Sequence, residues 1–390
     1  MKKFLNIGLK VSIGAGMLMA ALAHSQAAAP WTFFATRSDH SCALVAGGTA
    51  YCWGNNQSGV LGKGNEDEIS KVPTLVKTDL KFSSISPGIN HTCAVTTVGK
   101  AYCWGRNDRF QLGMAGADDP RASYPSMFVP TPVRGDLVFT SISAGYFHTC
   151  GLVAGGKAYC WGAGYNGELG SDIQATSVPT AVKGNIVFAS VIAGRSLSCG
   201  LTAGGEAYCW GSNGSNQFGD GTTIDNFKPQ LAGNGILFSS ISLGELHVCG
   251  ISKDNKAYCW GSGRKGKLGN GSALDNSQNP KPLEVLGKYT FTSISASIRH
   301  TCALTPAGKA YCWGSNANMQ LGVPGVPDDQ APEPVAVNTQ LVFSSIYTAN
   351  GFTCAIATSK HIYCWGYNAF GQLGDDSTKS RIRPDQVELP

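Results

Sequence analysis

Fourteen cysteines form seven pairs of identical spacing: Cys42/Cys52, Cys93/Cys103, Cys150/Cys160, Cys199/Cys209, Cys249/Cys259, Cys302/Cys312 and Cys354/Cys364. The second of each pair opens the tripeptide Cys-Trp-Gly, and these second cysteines recur at intervals of 51, 57, 49, 50, 53 and 52 residues. A period near 50 marks a solenoid or propeller, in which each supersecondary unit buries its apolar face only against its neighbours. Length alone would suggest two or three domains, but a closed ring of repeats shares one continuous core, so residues 31–390 are read as one domain.

One unit reads FSSISPGINHTCAVTTVGKAYCWGRNDRFQLG, followed by a variable stretch and a proline with apolar neighbours such as VPTLVK. Four short strands fit it: Phe82 to Ser86, His91 to Thr96, Lys100 to Gly105, and a fourth near Val72 to Lys77 and its equivalents. Both faces of these segments are apolar or small, as in sheets packed between two others, and Gly, Pro and Asn separate them. Nothing supports a long helix.

The second and third strands form a hairpin whose register follows from the turn. Setting Cys93 opposite Cys103 leaves the loop Thr97, Val98, Gly99, the three-residue length that takes a type I turn followed by a left-handed residue. That last position is Gly48, Gly99, Gly156, Gly205 and Gly308 in five repeats, Asn255 in a sixth and Lys360 in the seventh. Glycine and asparagine tolerate positive φ there. Counting outward, Thr96/Lys100 and Ala94/Tyr102 are hydrogen-bonded pairs and Cys93/Cys103 is not, which brings its Cα atoms to about 4.5 Å, at the short end of disulfide geometry. A disulfide in each hairpin is expected, each worth at most roughly 2–3 kcal/mol because the loop closed is short. Metal ligation fits poorly, since each unit offers two thiols with no second CxxC or histidine pair.

Residues 1–27 have the layout of a secretory signal peptide: Lys2 and Lys3, then a mostly apolar run, then small residues. Cleavage after Ala23 or after Ala27 satisfies a small-x-small rule. No later run approaches the roughly 20 apolar residues of a membrane helix, so the mature chain is expected to be soluble in a periplasmic or extracellular compartment, where cysteines oxidise. The formal charge of +5 includes the leader's three lysines, which leaves 27 basic against 25 acidic groups. Scattered charges in that balance argue against a nucleic-acid groove.

The pattern Gly-x-x-His-[Ser/Thr]-Cys-Ala-Leu, then Gly-x-Ala-Tyr-Cys-Trp-Gly-x-Asn, then Gln-Leu-Gly, resembles the regulator of chromosome condensation repeat. Examples are His91 to Ala94 with Ala101 to Asn107 and Gln111 to Gly113, and His300 to Leu304 with Ala310 to Asn316 and Gln320 to Gly322. The resemblance covers essentially everything after residue 30. It implies an all-β, seven-bladed propeller of four-stranded antiparallel blades. The tandem cysteines and the leader resemble the family's secreted bacterial branch. The family includes guanine-nucleotide exchange factors, a plant ultraviolet photoreceptor and secreted β-lactamase inhibitors, so fold alone does not select a function. The photoreceptor's tryptophans precede the His-Thr dipeptide. Here those places hold Tyr146 and Phe147, Arg195 and Ser196, or Ile298 and Arg299, which argues against photoreception.

His40, His91, His148, His247 and His300 stand two residues before a cysteine, where Leu197 and Phe352 fill the other two copies. A residue recurring by symmetry reads as structural rather than catalytic, and the seven Cys-Trp-Gly tryptophans read as packing aromatics. The acidic stretches Asn65 to Glu68, Asp118 and Asp119, Asp328 and Asp329, and Asp375 and Asp376 lack the ligand pattern of a calcium loop. No phosphate loop, GxSxG or HExxH occurs. No enzyme, metal or cofactor is expected.

Chain direction places the loop between strands one and two and the loop after Cys-Trp-Gly on one face of the disc, with the hairpin turns opposite. The first loops are expected to display Ser38, Asp39, Asn90, Tyr146, Phe147, Arg195, Glu245, Leu246, Ile298, Arg299 and Asn350. The second add Arg106, Arg109, Phe110, Tyr165, Arg264, Lys265, Met319, Tyr367 and Phe370. Aromatic and arginine side chains are enriched in binding hot spots. The partner surface is therefore expected at Tyr146, Phe147, Arg195, Leu246, Ile298, Arg299, Arg109, Phe110, Tyr165, Tyr367 and Phe370. The longest interval, Met114 to Asp136, suggests a protruding loop carrying Tyr124, Met127 and Phe128. The leading expectation is an exported, monomeric, non-catalytic propeller that binds a protein, as an inhibitor or scaffold. Alternatives are an exchange factor for a small GTPase and a carbohydrate-binding propeller using Trp31 and surface tyrosines.

Overall fold

A computed structural model describes residues 31–67, 69–114, 125–273 and 278–388. They form seven four-stranded antiparallel sheets, each built from four consecutive strands in sequence order. The first blade comprises Trp31–Arg37, His40–Val45, Ala50–Asn55 and Ile69–Leu75, and the second Phe82–Pro87, His91–Thr96, Ala101–Gly105 and Met127–Pro132. The third to seventh blades begin with Phe139–Ala144, Ser190–Ala193, Phe238–Leu243, Ser293–Ala296 and Phe343–Thr348. First strands of successive blades pack together around the axis, while fourth strands lie at the half-exposed rim. Every fourth strand carries a proline, for example Pro73, Pro130, Pro229 and Pro384. A residue without an amide proton interrupts an edge that would otherwise template pairing with another chain.

The hairpin register is the expected one. Cys93 pairs directly with Cys103, and the Thr96 amide donates to Lys100 O at 2.8 Å. All seven hairpins are disulfide-bridged: Cys42–Cys52, Cys93–Cys103, Cys150–Cys160, Cys199–Cys209, Cys249–Cys259, Cys302–Cys312 and Cys354–Cys364 each hold their Cα atoms 4.1 Å apart. That spacing is slightly closer than the 4.5 Å expected of an unbonded antiparallel pair. Gly99 has φ +81°, and both Asn255 at +62° and Lys360 at +69° adopt the same left-handed turn. The turn also docks on the next blade: Phe82 N donates to Gly48 O at 2.8 Å and Phe291 N to Asn255 O at 2.9 Å, and a Cβ on Gly48 would stand 2.5 Å from Phe82 O. Lys360 precedes the ring closure, and among the described residues no such bond from the first blade reaches its carbonyl.

The fourth strand runs Ile69–Leu75 rather than Val72 to Lys77. A register shift between Cys52 and Gly54 lets Ser70 and Ile69 continue pairing with Gly54 and Asn55. At the other end Lys77 turns its amide to Gly62 O, outside the sheet. Met127 and Phe128 belong to the second blade's fourth strand rather than a protruding loop, and Tyr124 lies outside the described residues.

The core lies between blades. Each Cys-Trp-Gly tryptophan is fully buried and donates its indole proton to the preceding blade, as Trp104 Nε1 does to Val60 O at 2.8 Å and Trp161 Nε1 to Gln111 O at 3.1 Å. The Gln-Leu-Gly glycine makes room for it: a Cβ on Gly113 would stand 2.7 Å from Trp161 Nε1. A phenylalanine of the first strand then packs on the indole, with Phe139 and Trp161 ring centroids 5.7 Å apart. These contacts also close the ring, since Trp53 Nε1 donates to Gln372 O at 3.1 Å and Trp31, Phe34 and Trp53 share a cluster with Phe352, Leu373 and Val387. Among the described residues the first and last blades each keep four strands of their own at this closure.

Candidate functional site: the loop face and its axial mouth

The recurring histidines link successive blades. His91 Nε2 lies 2.9 Å from Thr149 Oγ1 of the next blade, and that hydroxyl donates to Gln111 O at 2.9 Å. Because the hydroxyl proton goes to the carbonyl, the imidazole donates from Nε2. His40 with Thr92, His148 with Ser198, His247 with Thr301 and His300 with Thr353 repeat the arrangement. Burial drives the pKa of His40, His91, His148 and His300 down to about 3 and holds that of His247 well below the ordinary value. A carbonyl-anchored, neutral, fivefold-repeated histidine is structural.

The bridged cysteines are also structural rather than part of a binding face. Cys42, Cys93, Cys150, Cys199, Cys249, Cys302 and Cys354 on the second strands are fully buried, as are Cys52, Cys103, Cys160, Cys209, Cys259, Cys312 and Cys364 on the third. Each pair sits mid-hairpin and packs into the apolar clusters between blades, where no ligand reaches the sulfurs.

The loop between strands one and two and the loop after Cys-Trp-Gly share a face, as chain direction implies. Asn55 N donates to Asp39 O, Arg106 N to Asn90 O, Ala163 N to Phe147 O and Ser315 N to Arg299 O, at 2.8–3.0 Å. Adjacent blades are also tied there, through Tyr146 N to Gly194 O at 3.0 Å and, across the closure, Asn350 N to Ser38 O at 3.2 Å.

At the centre of this face a cavity of about 160 Å3 is lined by Arg37, Tyr146, Glu245, Ile298 and Asn350, with the ends of the first strands below. Arg37 crosses the axis: its Nη1 donates to Ala193 O at 2.8 Å and Ala144 O at 3.2 Å, the last residues of two other blades' first strands. Burial lowers its pKa from the ordinary guanidinium value. The Tyr146 ring lies between Arg37, 5.8 Å away, and Arg195, 5.9 Å away, and Arg195 is ion-paired with Glu245. Burial pushes the Tyr146 phenol up to about 12, and its hydroxyl has no partner.

These placements sort the expected contact residues. Tyr146 is 7% exposed and therefore part of the mouth's wall rather than a displayed side chain, because the close turn at Gly145 draws it against the axis. Phe147, Leu246 and Ile298 are half-buried on the face, and Arg195 and Arg299 are exposed. A second cluster forms away from the axis, with Arg109 over the Tyr165 ring at 6.0 Å and Phe110 beside it in a left-handed conformation at φ +62°. A third pairs Tyr367 and Phe370, edge to face at 6.1 Å. Trp31 is buried against Tyr51 and Trp53, so it offers no platform for a sugar. Sequence reasoning missed Arg37. The signal was present: three residues before the histidine column the other copies read Gly88, Gly145, Gly194, Gly244, Ser297 and Ala349.

Seven consecutive four-stranded blades, joined each to the next by a buried tryptophan and at five of the seven interfaces also by a histidine, define a repeat propeller. The chain belongs to the RCC1-like family: the RCC1-like domain matches residues 21–344, and the regulator of chromosome condensation repeat matches residues 346–372. It is 29% identical over 359 residues to the ultraviolet-B receptor UVR8 of Arabidopsis thaliana, covering 90% of this chain and 80% of that protein. Among solved structures, human WBSCR16 superposes with a TM-score of 0.78 at 20% identity over 88% of this chain and 95% of its own. Prp20p of Saccharomyces cerevisiae, described with its binding to Gsp1p and histones, gives a TM-score of 0.76 at 20% identity over 91% of this chain and 87% of its own.

Proposed function

We propose that this chain is an exported propeller that binds another protein through its loop face, as an inhibitor or scaffold of an extracytoplasmic protein, without chemistry of its own. The observation that carries the reading is a disulfide in every blade. Such bridges persist in oxidising compartments and are reduced in the cytosol, and the residues ahead of them have the charge and apolar pattern of a leader over 1–27. The loop face supports the binding half of the reading, since Phe147, Arg195, Arg299 and the Arg109–Tyr165 pair offer rigid aromatic and guanidinium surface at low entropic cost.

An exchange factor acting on a small GTPase is the second reading, suggested by the family to which the chain belongs. It requires a cytoplasmic nucleotide-bound partner, which export would deny. The deciding experiment is fractionation with N-terminal sequencing of the isolated protein. A start after Ala23 or Ala27 in the extracytoplasmic fraction supports the proposal; a chain retained in the cytoplasm with Met1 intact and reduced cysteines contradicts it.

A further inference from the structure

Six of seven blades place Gly, Ala or Ser at the axial turn, and only the first places a long side chain there, Arg37. A ring that repeats its core breaks symmetry at this point. The guanidinium carries its charge into the mouth, where its partners are two carbonyl oxygens on Nη1 and the face of Tyr146. Among the described residues no carboxylate pairs with it, and its Nε and Nη2 protons meet no protein acceptor. The cavity's own acid, Glu245, is held by Arg195, and nearby Asp39 is bonded to Asn350 and Ser38. The half-buried guanidinium therefore turns an unpaired edge toward the mouth, where a bound anion would supply the counter-charge that the chain does not. Beside it the buried Tyr146 hydroxyl, in the wall of the same cavity, has no partner.

We propose that the axial mouth is a receptor for a single carboxylate group, gripped by the free Nε–Nη2 edge of Arg37 and by the Tyr146 hydroxyl. The planar fork of a guanidinium matches two carboxylate oxygens, and the phenol supplies a third donor. About 160 Å3 admits one carboxylate with a short carbon stem rather than a nucleotide or a sugar chain. This site is independent of the protein-binding reading, although it opens at the centre of the same face.

The test titrates the oxidised full-length protein with sodium acetate against acetamide, its neutral counterpart, at constant ionic strength, following the Arg37 Nε–H resonance and calorimetric heat. Saturable acetate binding with a Kd on the order of 1 mM is expected from a few charge-assisted hydrogen bonds, with acetamide at least tenfold weaker. Arg37→Met should abolish binding and Tyr146→Phe should weaken it severalfold while keeping the ring. Should Arg37→Met fail to fold, Tyr146→Phe and the acetate–acetamide contrast decide. A separate arm uses the amide-capped glutamate Ac-Glu-NH2: tighter binding than acetate assigns the carboxylate to a peptide side chain, and weaker binding to a free acid. Absence of a saturable acetate response, equal response to acetamide, or unchanged affinity in both folded variants would overturn the proposal.

Discussion

Leu197 and Val248 occupy, at the interface of the fourth and fifth blades, the two positions that hold a hydrogen-bonded histidine and threonine or serine at five other interfaces. Both are buried and both belong to one apolar cluster. The polar pair has been replaced as a pair, which avoids leaving either a buried imidazole or a buried hydroxyl without its mate. At the ring closure Phe352 likewise replaces the histidine, and Ser41 turns its hydroxyl to Thr36 Oγ1 at 3.0 Å.

This relationship predicts non-additive energetics between neighbouring blades. His91→Leu or Thr149→Val alone should cost on the order of 1–3 kcal/mol, the penalty of one unsatisfied buried group. The double variant, which recreates the fourth-to-fifth interface, should cost less than the sum by about 1 kcal/mol. Urea denaturation of the four proteins measures the coupling. Strict additivity would show that the histidine and hydroxyl do not act together.

Acid should unfold the protein through its histidines. Their folded pKa values are lowered, to about 3 for His40, His91, His148 and His300, whereas the unfolded chain takes up a proton on each near pH 6.5. Stability is therefore full above about pH 6.5 and declines as pH falls toward 3, each histidine contributing a slope of roughly 1.4 kcal/mol per pH unit. Denaturation midpoints between pH 7 and pH 4 should fall steeply, and more shallowly in the His91→Leu, Thr149→Val double variant. A flat profile would mean the imidazoles are not held neutral.

Two glycines with similar backbones separate steric from conformational cost. Gly113, at φ +67°, would place a Cβ 2.7 Å from Trp161 Nε1, whereas Gly155, at φ +84°, would meet nothing within 4 Å. Alanine at Gly155 should cost about 1 kcal/mol from the left-handed backbone alone, and alanine at Gly113 a further 1–3 kcal/mol from overpacking. Thermal melts of both variants decide, and equal losses would remove the claim that this glycine exists to seat the tryptophan.

Much of this was legible from the chain because the fold is periodic. Cysteine spacing, turn glycines and hairpin length converged on one register, and the seven copies fixed the blade count. Burial of the tryptophans followed from their repetition. What repetition concealed was the residue that departs from it. Alignment on the cysteines and the histidine column left the axial position looking like filler, since glycine, alanine and serine carry no chemistry, and Arg37 passed unnoticed among them. The partnership of one blade's histidine with the next blade's hydroxyl was also invisible within a single unit. The losses of histidine at Leu197 and of threonine at Val248 lie in different copies and become one event only when copies are read in adjacent pairs. Tyr146 was misplaced for a related reason: the turn at Gly145 packs against Gly194 O of the next blade, a contact no single repeat contains.

The bridges should survive as local features. Non-reducing peptide mapping of the protein isolated from its native host is expected to recover seven hairpin disulfides and no free thiol, and reduction should lower Tm without opening the ring, because each bridge closes only a short loop. Free thiols at most sites, or bridges between blades such as Cys160 to Cys199 or Cys259 to Cys302, would contradict the hairpin register.

The most direct test of the account is where a partner binds. Affinity capture from the producing organism's envelope and surrounding medium, quantified for three forms of the oxidised protein, separates the faces. A loop-face variant, Phe147→Ala with Arg299→Ala, should retain its melting temperature within a few degrees and lose at least tenfold in partner recovery, or about 1.4 kcal/mol of affinity. A hairpin-face variant, Lys157→Ala with Lys309→Ala, should recover the partner as the unaltered protein does. Loss of the partner from the hairpin-face variant, with full recovery by the loop-face variant, would contradict a propeller that binds protein through its loops.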